Sequence, residues 1–256
     1  MKKKQMTNIE LSIICASYNS QKTIGHTIQS VISQTYKNFE LIIVDGKSTD
    51  NTVEIIKSFK SEKIKFISEK DKGLYNALNK GLKLATGYVI GFIGSDDFYP
   101  NSYVYENVIK IFEDNLTDSV YGDKQYVNEN NIDKIVRYWE AGDYNISNFY
   151  RGWMPPHLSL YIKKEVYDKY GFFNESFYCS GDYEFILRVF VKKGISTHYI
   201  KKPLITMRTG GISNAGILSR IKVNIEDRKA WKTNNLKPYW YTLLMKPLSK
   251  INQLKF

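Results

Sequence analysis

Two adjacent carboxylates, Asp96 and Asp97, directly follow the apolar run 88–93. Ionised carboxylates at this spacing repel each other unless a cation or hydrogen-bond donors lie between them. Carboxylate oxygens suit Mg²⁺ or Mn²⁺, which usually share their coordination with the phosphates of a substrate. The pair therefore indicates either a cation site for a phosphate-bearing ligand or a cap of the next helix, and taken alone it favours the cap.

Two further carboxylates, Asp45 and Asp182, lie where binding or acid–base chemistry has a place. Asp45 ends the apolar run 40–44, where its oxygens could accept hydrogen bonds from the base or ribose of a nucleotide. Asp182 precedes an apolar helical pattern, and a carboxylate there could take a proton from a hydroxyl nucleophile. A turn residue for Asp45 and a helix N-cap for Asp182 are the alternative interpretations.

A histidine and an arginine complete the set of candidate residues. His157 follows two prolines and precedes a strand pattern, and a lone histidine in such a setting is more often structural than a ligand. Arg208 precedes Gly210 and Gly211, which permit a loop that closes on an anionic phosphate with Arg208 as its charge partner. A plain turn fits the two glycines about equally well.

The elements that must position these residues alternate between strand and helix in the first half of the chain. Strand patterns cover 9–15, 40–44, 63–67 and 88–93, and helix patterns cover 24–32, 53–59 and 73–84. This alternation with short connections predicts a mostly parallel sheet covered by helices. Ligands of such sheets bind beyond the carboxyl ends of the strands, where the polar clusters after the first, second and fourth strands lie.

The second half of the chain is less regular. Strand patterns cover 119–123, 135–139 and 158–162, and an amphipathic helix is predicted over 183–191. No internal repeat or low-complexity linker separates the halves, so a boundary near Asp114 would divide two lobes of one domain. We predict one domain over residues 8–215, with halves 8–113 and 114–215, and an extension over 216–256.

The composition is that of a folded globular protein. The 256 residues are 43% hydrophobic and 25% charged, which excludes a wholly disordered or collagen-like chain and allows a large core. Cys15 and Cys179 are too few for a disulfide scaffold, so a reduced cytoplasm is the expected compartment. The sequence shows neither a signal peptide behind its basic N-terminus nor an apolar run of about 18 residues that would span a membrane.

The net charge of +11 is concentrated near the C-terminus, where 217–256 holds nine Lys or Arg against two acidic residues. Such a segment attracts polyanions, although a solvated helix face is the plain alternative. Aromatic and aliphatic residues lie among lysines in 238–248, a mixture that suits the headgroup layer of an anionic membrane. Packing of these aromatics on the domain or on a second subunit, giving an oligomer, is nearly as well supported. Nucleic acid is disfavoured because no binding motif accompanies the charge.

Five motifs become informative when their order is considered. They are ASYN at 16–19, VDGKSTD at 44–50, DKGLYNALNKG at 71–81, GSDD at 94–97 and GDYE at 181–184. Each motif is weak alone, but together the chain resembles the family-2 glycosyltransferases, and most closely the bacterial branch that builds O-antigens, capsules and exopolysaccharides. The resemblance covers 11–214 and implies an α/β GT-A fold, with a single mostly parallel central sheet flanked by helices and a basic helical C-terminal extension.

The resemblance also implies a role for each matching residue. The residues implied to bind the nucleotide sugar, with Asp45 on the base, are Ser17, Tyr18, Asn19, Asp45, Asp71, Lys72, Gly73, Ser95 and Asp97. Asp96 would ligate Mg²⁺ or Mn²⁺ on the donor diphosphate, and Asp182 would be the general base. The residues implied on the acceptor side are Trp153, His157 and Arg208, and whether His157 contacts the acceptor or ligates the metal stays open.

Three glycines depart from the family pattern. Gly46 replaces the second carboxylate of the usual Asp-Asp-Gly, and Gly94 replaces the first carboxylate of the usual Asp-x-Asp. Gly181 replaces the usual Glu before the general base. These departures indicate a subtype of the family rather than an inactive member.

The activity implied is that of an inverting glycosyltransferase. It would move a sugar from a nucleotide-diphospho-sugar, expected to be a UDP-sugar, to a hydroxyl of a glycan or of a polyprenyl-diphosphate-linked saccharide. The expected location is cytoplasmic, at the inner face of the cytoplasmic membrane if the extension binds lipid. The alternative is a non-catalytic nucleotide-sugar or polyanion-binding protein on a degenerate GT-A fold. Nucleotidyl transfer fits less well because no Gly-rich phosphate loop lies near the N-terminus.

Overall fold

A continuous sheet carries the candidate residues from both halves of the chain. The computed structural model describes residues 10–209 and 216–248. The strands are β1 (Leu11–Ser17), β2 (Phe39–Asp45), β3 (Ile64–Ser68), β4 (Val89–Gly94), β5 (Ser119–Asn128), β6 (Asn131–Trp139), β7 (Leu160–Lys163) and β8 (Thr197–Arg208). They form one sheet in the order β3-β2-β1-β4-β7-β5-β6, with β8 paired to β5.

Helices connect the strands and cover both faces of the sheet. They are α1 (Ile24–Ile32), α2 (Thr52–Ser58), α3 (Leu74–Leu84), α4 (Val104–Asp114), α5 (Ile146–Tyr150), α6 (Lys164–Tyr170), α7 (Gly181–Ile186), α8 (Gly216–Thr233) and α9 (Thr242–Leu248). The α7 helix continues as a π-helical segment over Leu187–Lys192, and a short 3₁₀ turn over His157–Ser159 precedes β7.

The first four strands confirm the predicted parallel sheet. β1 pairs in parallel with β2 on one side and with β4 on the other, and β2 pairs in parallel with β3. In this register Ser17 lies opposite Asp45, and Ala16 lies opposite Gly94. The polar residues that follow three different strands therefore begin side by side at one edge of the sheet, as the rule for parallel sheets requires.

The second half adds antiparallel pairs to the mostly parallel sheet, which is therefore mixed. β7 is antiparallel to β4 and β5, β6 is antiparallel to β5, and β8 returns parallel to β5. The sequence patterns missed β8, which contains Pro203 and therefore does not look like a strand. The proline lies at a break in the β5–β8 register, where Gly122 pairs with Ile200 and the next residue pairs with Pro203. Such irregularities are where a sheet tolerates proline.

Alternate residues of β1 belong to two separate cores. Leu11, Ile13 and Cys15 pack in the cluster beneath α1 and α4, whereas Ile14 packs in the cluster beneath α3, α7 and α8. Strand patterns that are apolar at every position are typical of a strand buried on both faces. The sheet is accordingly enclosed on both sides along its parallel half, and its carboxyl edge is left for the polar loops.

The C-terminal helices pack on the domain through part of their surface. Trp231 of α8 is fully buried, its Nε1 donates to Tyr183 Oη at 2.9 Å, and Leu243 of α9 is buried as well. Trp240 remains 84% exposed and Leu244 is exposed beside it. Packing on the domain therefore accounts for some of the apolar side chains of this segment and leaves others on the surface. None of the helices formed by residues 10–209 and 216–248 has the length and apolar character to cross a bilayer.

Candidate functional site

Hydrogen bonds join the loops after β1 and β4 into one surface. The hydroxyls of Ser20 and Ser95 lie 2.8 Å apart, and Thr27 Oγ1 of α1 donates to the carbonyl oxygens of Ser95 and Asp97 at 3.0 and 2.7 Å. Ser17 Oγ is buried at the end of β1 without a hydrogen-bond partner among the described residues. A buried polar atom that lacks a partner is costly, so Ser17 fits a position that a ligand completes.

The loop after β2 is held by its own polar side chains. Asp45 is fully buried, and its carboxylate accepts hydrogen bonds from Ser48 N at 2.9 Å, Ser48 Oγ at 2.5 Å and Ser68 Oγ at 2.7 Å. Asn19, with a left-handed φ of 47°, donates its backbone N–H to Ser48 Oγ and accepts from Thr49 N at 2.9 Å. Asp45 and Asn19, both predicted to bind the nucleotide, therefore also hold the loops after β1 and β2 in shape through their hydrogen bonds.

Gly46 lies between two other predicted donor residues. A Cβ at this position would come within 2.6 Å of Asp71 Oδ2 and 3.4 Å of the Tyr18 ring, so only glycine allows this approach. Asp71 Oδ1 also accepts a hydrogen bond from Gly73 N at 2.9 Å, and Gly73 has a φ of 115° that side chains avoid. Lys72, between them, is exposed. The structure thus brings Tyr18 and the 71–73 segment together beside the end of β2.

The carboxylates of Asp96 and Asp97 have different surroundings. Asp97 is 1% exposed, its Oδ1 has no hydrogen-bond partner among the described residues, and burial together with Asp96 raises its pKa to about 8. Lys124 and Arg208 oppose this rise through their charges. A Cβ on Gly94 would lie 2.5 Å from Asp97 Oδ2. The carboxylate of Asp97 therefore lies close to the position that the side chain of the first aspartate would take in the usual Asp-x-Asp motif.

This carboxylate pair fits a divalent cation that shares its coordination with a ligand. The raised pKa and the unpartnered oxygen of Asp97 both indicate a missing positive partner. Within the described parts of the chain, no cluster of three or more His, Cys, Asp and Glu side chains could hold a metal. A cation at Asp96 and Asp97 would therefore take its remaining ligands from phosphate oxygens and water, as Mg²⁺ and Mn²⁺ commonly do.

Arg208 reaches this pair from the end of β8. Its Nη1 donates to the Asp96 carbonyl oxygen, and its Nη2 lies 2.9 Å from His26 Nδ1. The guanidinium also lies over the Phe98 ring, 5.0 Å from the centroid. Arg208 therefore lies beside the carboxylates, and its predicted place on the acceptor side stays a prediction. The predicted loop at Gly210 and Gly211 lies outside the described residues.

Asp182 lies where two different elements meet. Its Oδ1 accepts a hydrogen bond from Tyr75 Oη of α3 at 3.1 Å, and its Oδ2 lies 3.5 Å from His157 Nδ1. Burial lowers the pKa of His157, although the charge of Asp182 opposes this change. The helix cap is Ser180, and Asp182 belongs to the first turn of α7, so the N-cap interpretation is wrong. A Cβ on Gly181 would lie 2.7 Å from the Tyr75 ring. The glutamate that the family usually has at this position would therefore clash with Tyr75.

Trp153 is packed among aromatic rings. Its Nε1 donates to the Ala141 carbonyl oxygen at 2.6 Å, and its ring makes edge-on contacts with Tyr121 and Phe149. These contacts give the side chain a structural role, and its predicted place on the acceptor side stays a prediction. Of the three acceptor-side candidates, His157 is the one that the structure joins directly to Asp182.

Lys124 and Tyr75 are site residues that the sequence patterns missed. Lys124 of β5 is only 9% exposed, and its Nζ lies 4.4 Å from the centroid of the Trp139 ring. Burial lowers its pKa to about 8, while the charges of Asp97 and Asp182 oppose the shift. No ion pair ties Lys124 to a carboxylate within the described parts of the chain. Tyr75 lies inside a quoted motif, but nothing in the sequence marks Lys124, because its burial depends on the fold.

Together these residues form one polar site. It has a carboxylate pair at Asp96 and Asp97, a third carboxylate at Asp182 beside Tyr75 and His157, and the buried Lys124, whose charge interacts with Asp97 and Asp182. Such a site can bind a phosphate-bearing ligand through a cation and can accept a proton from a hydroxyl group at Asp182.

Comparisons with known proteins agree with this arrangement. The sequence profile of "Glycosyl transferase family 2" matches residues 12–190, so the chain belongs to this family. The solved structures most similar in shape include Staphylococcus aureus TarS 1–349 in complex with UDP-GlcNAc, with a TM-score of 0.68 and 18% identity over 88% of this chain and 70% of that one. The mannosyltransferase PcManGT of Pyrobaculum calidifontis, in complex with GDP-Man and Mn²⁺, gives 0.65 and 16% over 96% and 70%. These structures confirm the GT-A fold.

The relatives of this chain include two named bacterial glycosyltransferases. The Escherichia coli UDP-Glc:alpha-D-GlcNAc-diphosphoundecaprenol beta-1,3-glucosyltransferase WfgD is 36% identical over 128 residues, 50% of this chain and 50% of that protein. The chain therefore matches about half of that relative's length. A Mycobacterium bovis PGL/p-HBAD biosynthesis glycosyltransferase is 29% identical over 79% of this chain and 78% of its own. The predicted resemblance to family 2 and to its polysaccharide branch is confirmed.

Replacing Lys124 by methionine should stabilise the fold and reduce sugar transfer. The folded-state pKa of about 8 lies below the ordinary value of 10.5, so the unfolded chain binds more protons between these values and the lysine costs stability at pH 7. We expect the free energy of unfolding to rise by on the order of 1–3 kcal/mol at pH 7, measured with urea, and the difference to shrink as the pH approaches the ordinary value. Turnover should fall at least about tenfold, because the site loses a positive charge that interacts with both Asp97 and Asp182.

The opposite pair of results would make Lys124 a packing residue. Lower stability at pH 7 together with unchanged turnover would show that the stem of the lysine, and not its charge, is what the site requires.

Proposed function

We propose that the protein is an inverting, metal-dependent glycosyltransferase that uses a UDP-sugar donor and a hydroxyl of a lipid-linked saccharide as acceptor. The observation that carries this proposal is the position of Asp182, held by Tyr75 and His157 and electrostatically linked through Lys124 to the Asp97 carboxylate. An inverting transfer needs a base for the acceptor on one side of the sugar and charge stabilisation for the diphosphate on the other. The two ends of the site supply these two requirements.

The donor lies at the carboxyl edge of the parallel strands. Ser17, Tyr18 and the loop of Asp45 would line the nucleotide, and Asp96 with Asp97 would hold the cation that binds its diphosphate. Asp71 stands beside the ribose, and its approach to Gly46 places a carboxylate where the second aspartate of the usual motif would be. Residues 8–113 are thus the donor half of the catalytic domain. Residues 114–215 are its acceptor half, and 216–256 form the extension.

Asp182 removes the proton of the attacking hydroxyl. Tyr75 donates to one of its oxygens and His157 lies beside the other, so the carboxylate is held in one orientation for the acceptor. Fixed geometry of this kind is a major source of rate acceleration. Mg²⁺ or Mn²⁺, held by Asp96 with Asp97 beside it, supplies charge neutralisation for the leaving diphosphate when bound. Arg208 and Lys124 add fixed positive charge at the same end.

The relatives' names support the substrate class. The WfgD enzyme is named for a UDP-Glc donor and a GlcNAc-diphosphoundecaprenol acceptor, and its product linkage is beta-1,3. UDP-GlcNAc and GDP-Man occupy the two solved structures of this fold described above. We assign UDP-sugars to this chain, with UDP-glucose as the first compound to assay. A binding protein without activity is the competing assignment, and donor turnover separates the two.

Replacing Asp182 by asparagine should abolish transfer without weakening donor binding. Asparagine still accepts from Tyr75 but cannot hold a proton, so turnover should fall by at least about 100-fold. We would measure UDP release from UDP-glucose and other nucleotide sugars with Mn²⁺, and UDP affinity by calorimetry with Mn²⁺ and with EDTA. UDP affinity should match that of the wild type, and EDTA should weaken it.

The control for this variant is Asp168→Asn, which removes an exposed carboxylate that pairs with Lys164 of the same helix. Its turnover should equal that of the wild type. Full activity of Asp182→Asn would remove Asp182 from the role of base. Absence of turnover by the wild type with every nucleotide sugar would favour the binding protein.

The exposed part of the extension supports contact with an anionic membrane surface. Tyr239, Trp240 and Leu244 are exposed in the same segment, and the exposed Lys232 and Lys237 lie near them in the chain. Aromatic rings and lysines together suit the headgroup layer, and each basic residue adds about 1 kcal/mol near anionic lipid. A lipid-linked acceptor would be presented at that surface. We therefore place the enzyme at the inner face of the cytoplasmic membrane.

The double variant Trp240→Ser, Leu244→Ser should bind anionic vesicles more weakly than the wild type. Loss of two partly inserted apolar side chains should reduce the partition coefficient roughly tenfold or more in sedimentation with phosphatidylglycerol vesicles. The matched control is Leu116→Ser, since Leu116 is 85% exposed in the loop after α4. Equal binding by the double variant and the wild type would contradict membrane contact through this surface.

A further inference from the structure

One carboxylate of the C-terminal helix α8 binds the backbone just before the base-bearing helix α7. Glu226 Oε1 accepts a hydrogen bond from Tyr178 N at 2.7 Å, and Glu226 Oε2 accepts from Cys179 N and Ser180 N, each at 2.8 Å. Three consecutive backbone N–H groups therefore donate to one side chain, and that side chain belongs to a helix residue 46 to 48 positions further along the chain. Asp182 follows two residues after the last of them.

The charge of Glu226 is retained in this setting. Burial raises its pKa, but the N–H donations of Tyr178, Cys179 and Ser180 outweigh burial, and the net pKa is lowered. Hydrogen bonds to an ionised acceptor are stronger than those between neutral groups. The Cys179 thiol adds a fourth donor at 3.2 Å, and burial together with Glu226 raises the pKa of that thiol to about 11.

The opposite end of the same segment is fixed by α3. Asn79 exchanges two hydrogen bonds with the backbone of Phe173, and Glu175 accepts from Asn76 and Asn79. The α3 helix also carries Tyr75, whose hydroxyl donates to Asp182. Residues 173–180 are therefore held at their start by α3 and at their end by α8, and Asp182 comes immediately after them.

We propose that Glu226 is a positioning residue that sets the orientation of Asp182 by binding the amides of residues 178–180. The inference rests on the proposed role of Asp182 as base. Without the Glu226 carboxylate, the three N–H groups would hydrogen-bond to water instead, and the start of α7 would become more mobile. A displacement of the base of about 1 Å is enough to reduce turnover strongly. The extension thus contributes to catalysis by shaping the site, in addition to any contact with lipid.

The test compares Glu226→Ala with Glu226→Asp and with Thr233→Ala, a change at an exposed residue of the same helix. Hydrogen exchange of the 178–180 amides should become roughly tenfold faster or more in Glu226→Ala, because a charge-assisted acceptor is lost. The turnover number should fall at least about tenfold while UDP affinity with Mn²⁺ stays at the wild-type value. Glu226→Asp, which keeps the charge, should recover part of both effects, and Thr233→Ala should show neither effect.

A double-mutant cycle separates positioning from general damage to the fold. If Glu226 acts through Asp182, adding Glu226→Ala to Asp182→Asn should not lower the residual turnover further. Additive losses, or wild-type turnover of Glu226→Ala beside an inactive Asp182→Asn, would overturn the positioning role and leave the base assignment intact. Full activity of Asp182→Asn would instead overturn the proposed function itself.

Discussion

The parallel pairing of β1 with both β2 and β4 is the constraint on which the rest of the site depends. It places Ser17 opposite Asp45 and Ala16 opposite Gly94, so three polar loops leave the sheet at one level. A shift of one residue in either register would exchange the faces of a strand that is buried on both sides. Hydrogen bonds between Ser20 and Ser95, and between Asn19 and the 48–49 backbone and side chains, then fix the loops to one another. The arrangement of these loops therefore follows from strand pairing before any ligand is considered.

Three glycines show how this chain departs from its family while keeping the chemistry of the site. At Gly46 and Gly94 the space of a Cβ is approached by the carboxylates of Asp71 and Asp97, and at Gly181 it is approached by the Tyr75 ring. Each glycine therefore lies where a neighbouring polar or aromatic side chain comes close to the backbone. At the first two positions, a carboxyl group from a residue elsewhere in the chain lies close to where the family has an aspartate side chain. At the third, a hydrogen-bond donor to Asp182 stands where the family has an acidic side chain.

Much of the first half could be predicted from the sequence because its signals are local. Apolar runs separated by polar loops define β1 to β4, and the aspartates that follow them fall at the carboxyl edge of the sheet. The β8 strand could not be predicted, since Pro203 is accommodated only by an irregular register with β5. Lys124 could not be recognised either, because its burial and its electrostatic contact with Asp97 and Asp182 arise when distant elements meet. The role of Glu226 could not be predicted either, because in the sequence it is simply an acidic residue in a basic helix and its contacts with residues 178–180 arise only in the fold.

The proposed role of Asp182 as a base opposite a neutralised diphosphate implies a single displacement, which inverts the configuration of the anomeric carbon. The most direct measurement is therefore the anomeric configuration of the first product formed from an α-linked donor such as UDP-glucose, read by proton NMR from the H1–H2 coupling of the transferred glucose. A β-linked product is the result that this account predicts. An α-linked product would contradict it, because retention requires a different arrangement of groups around the sugar.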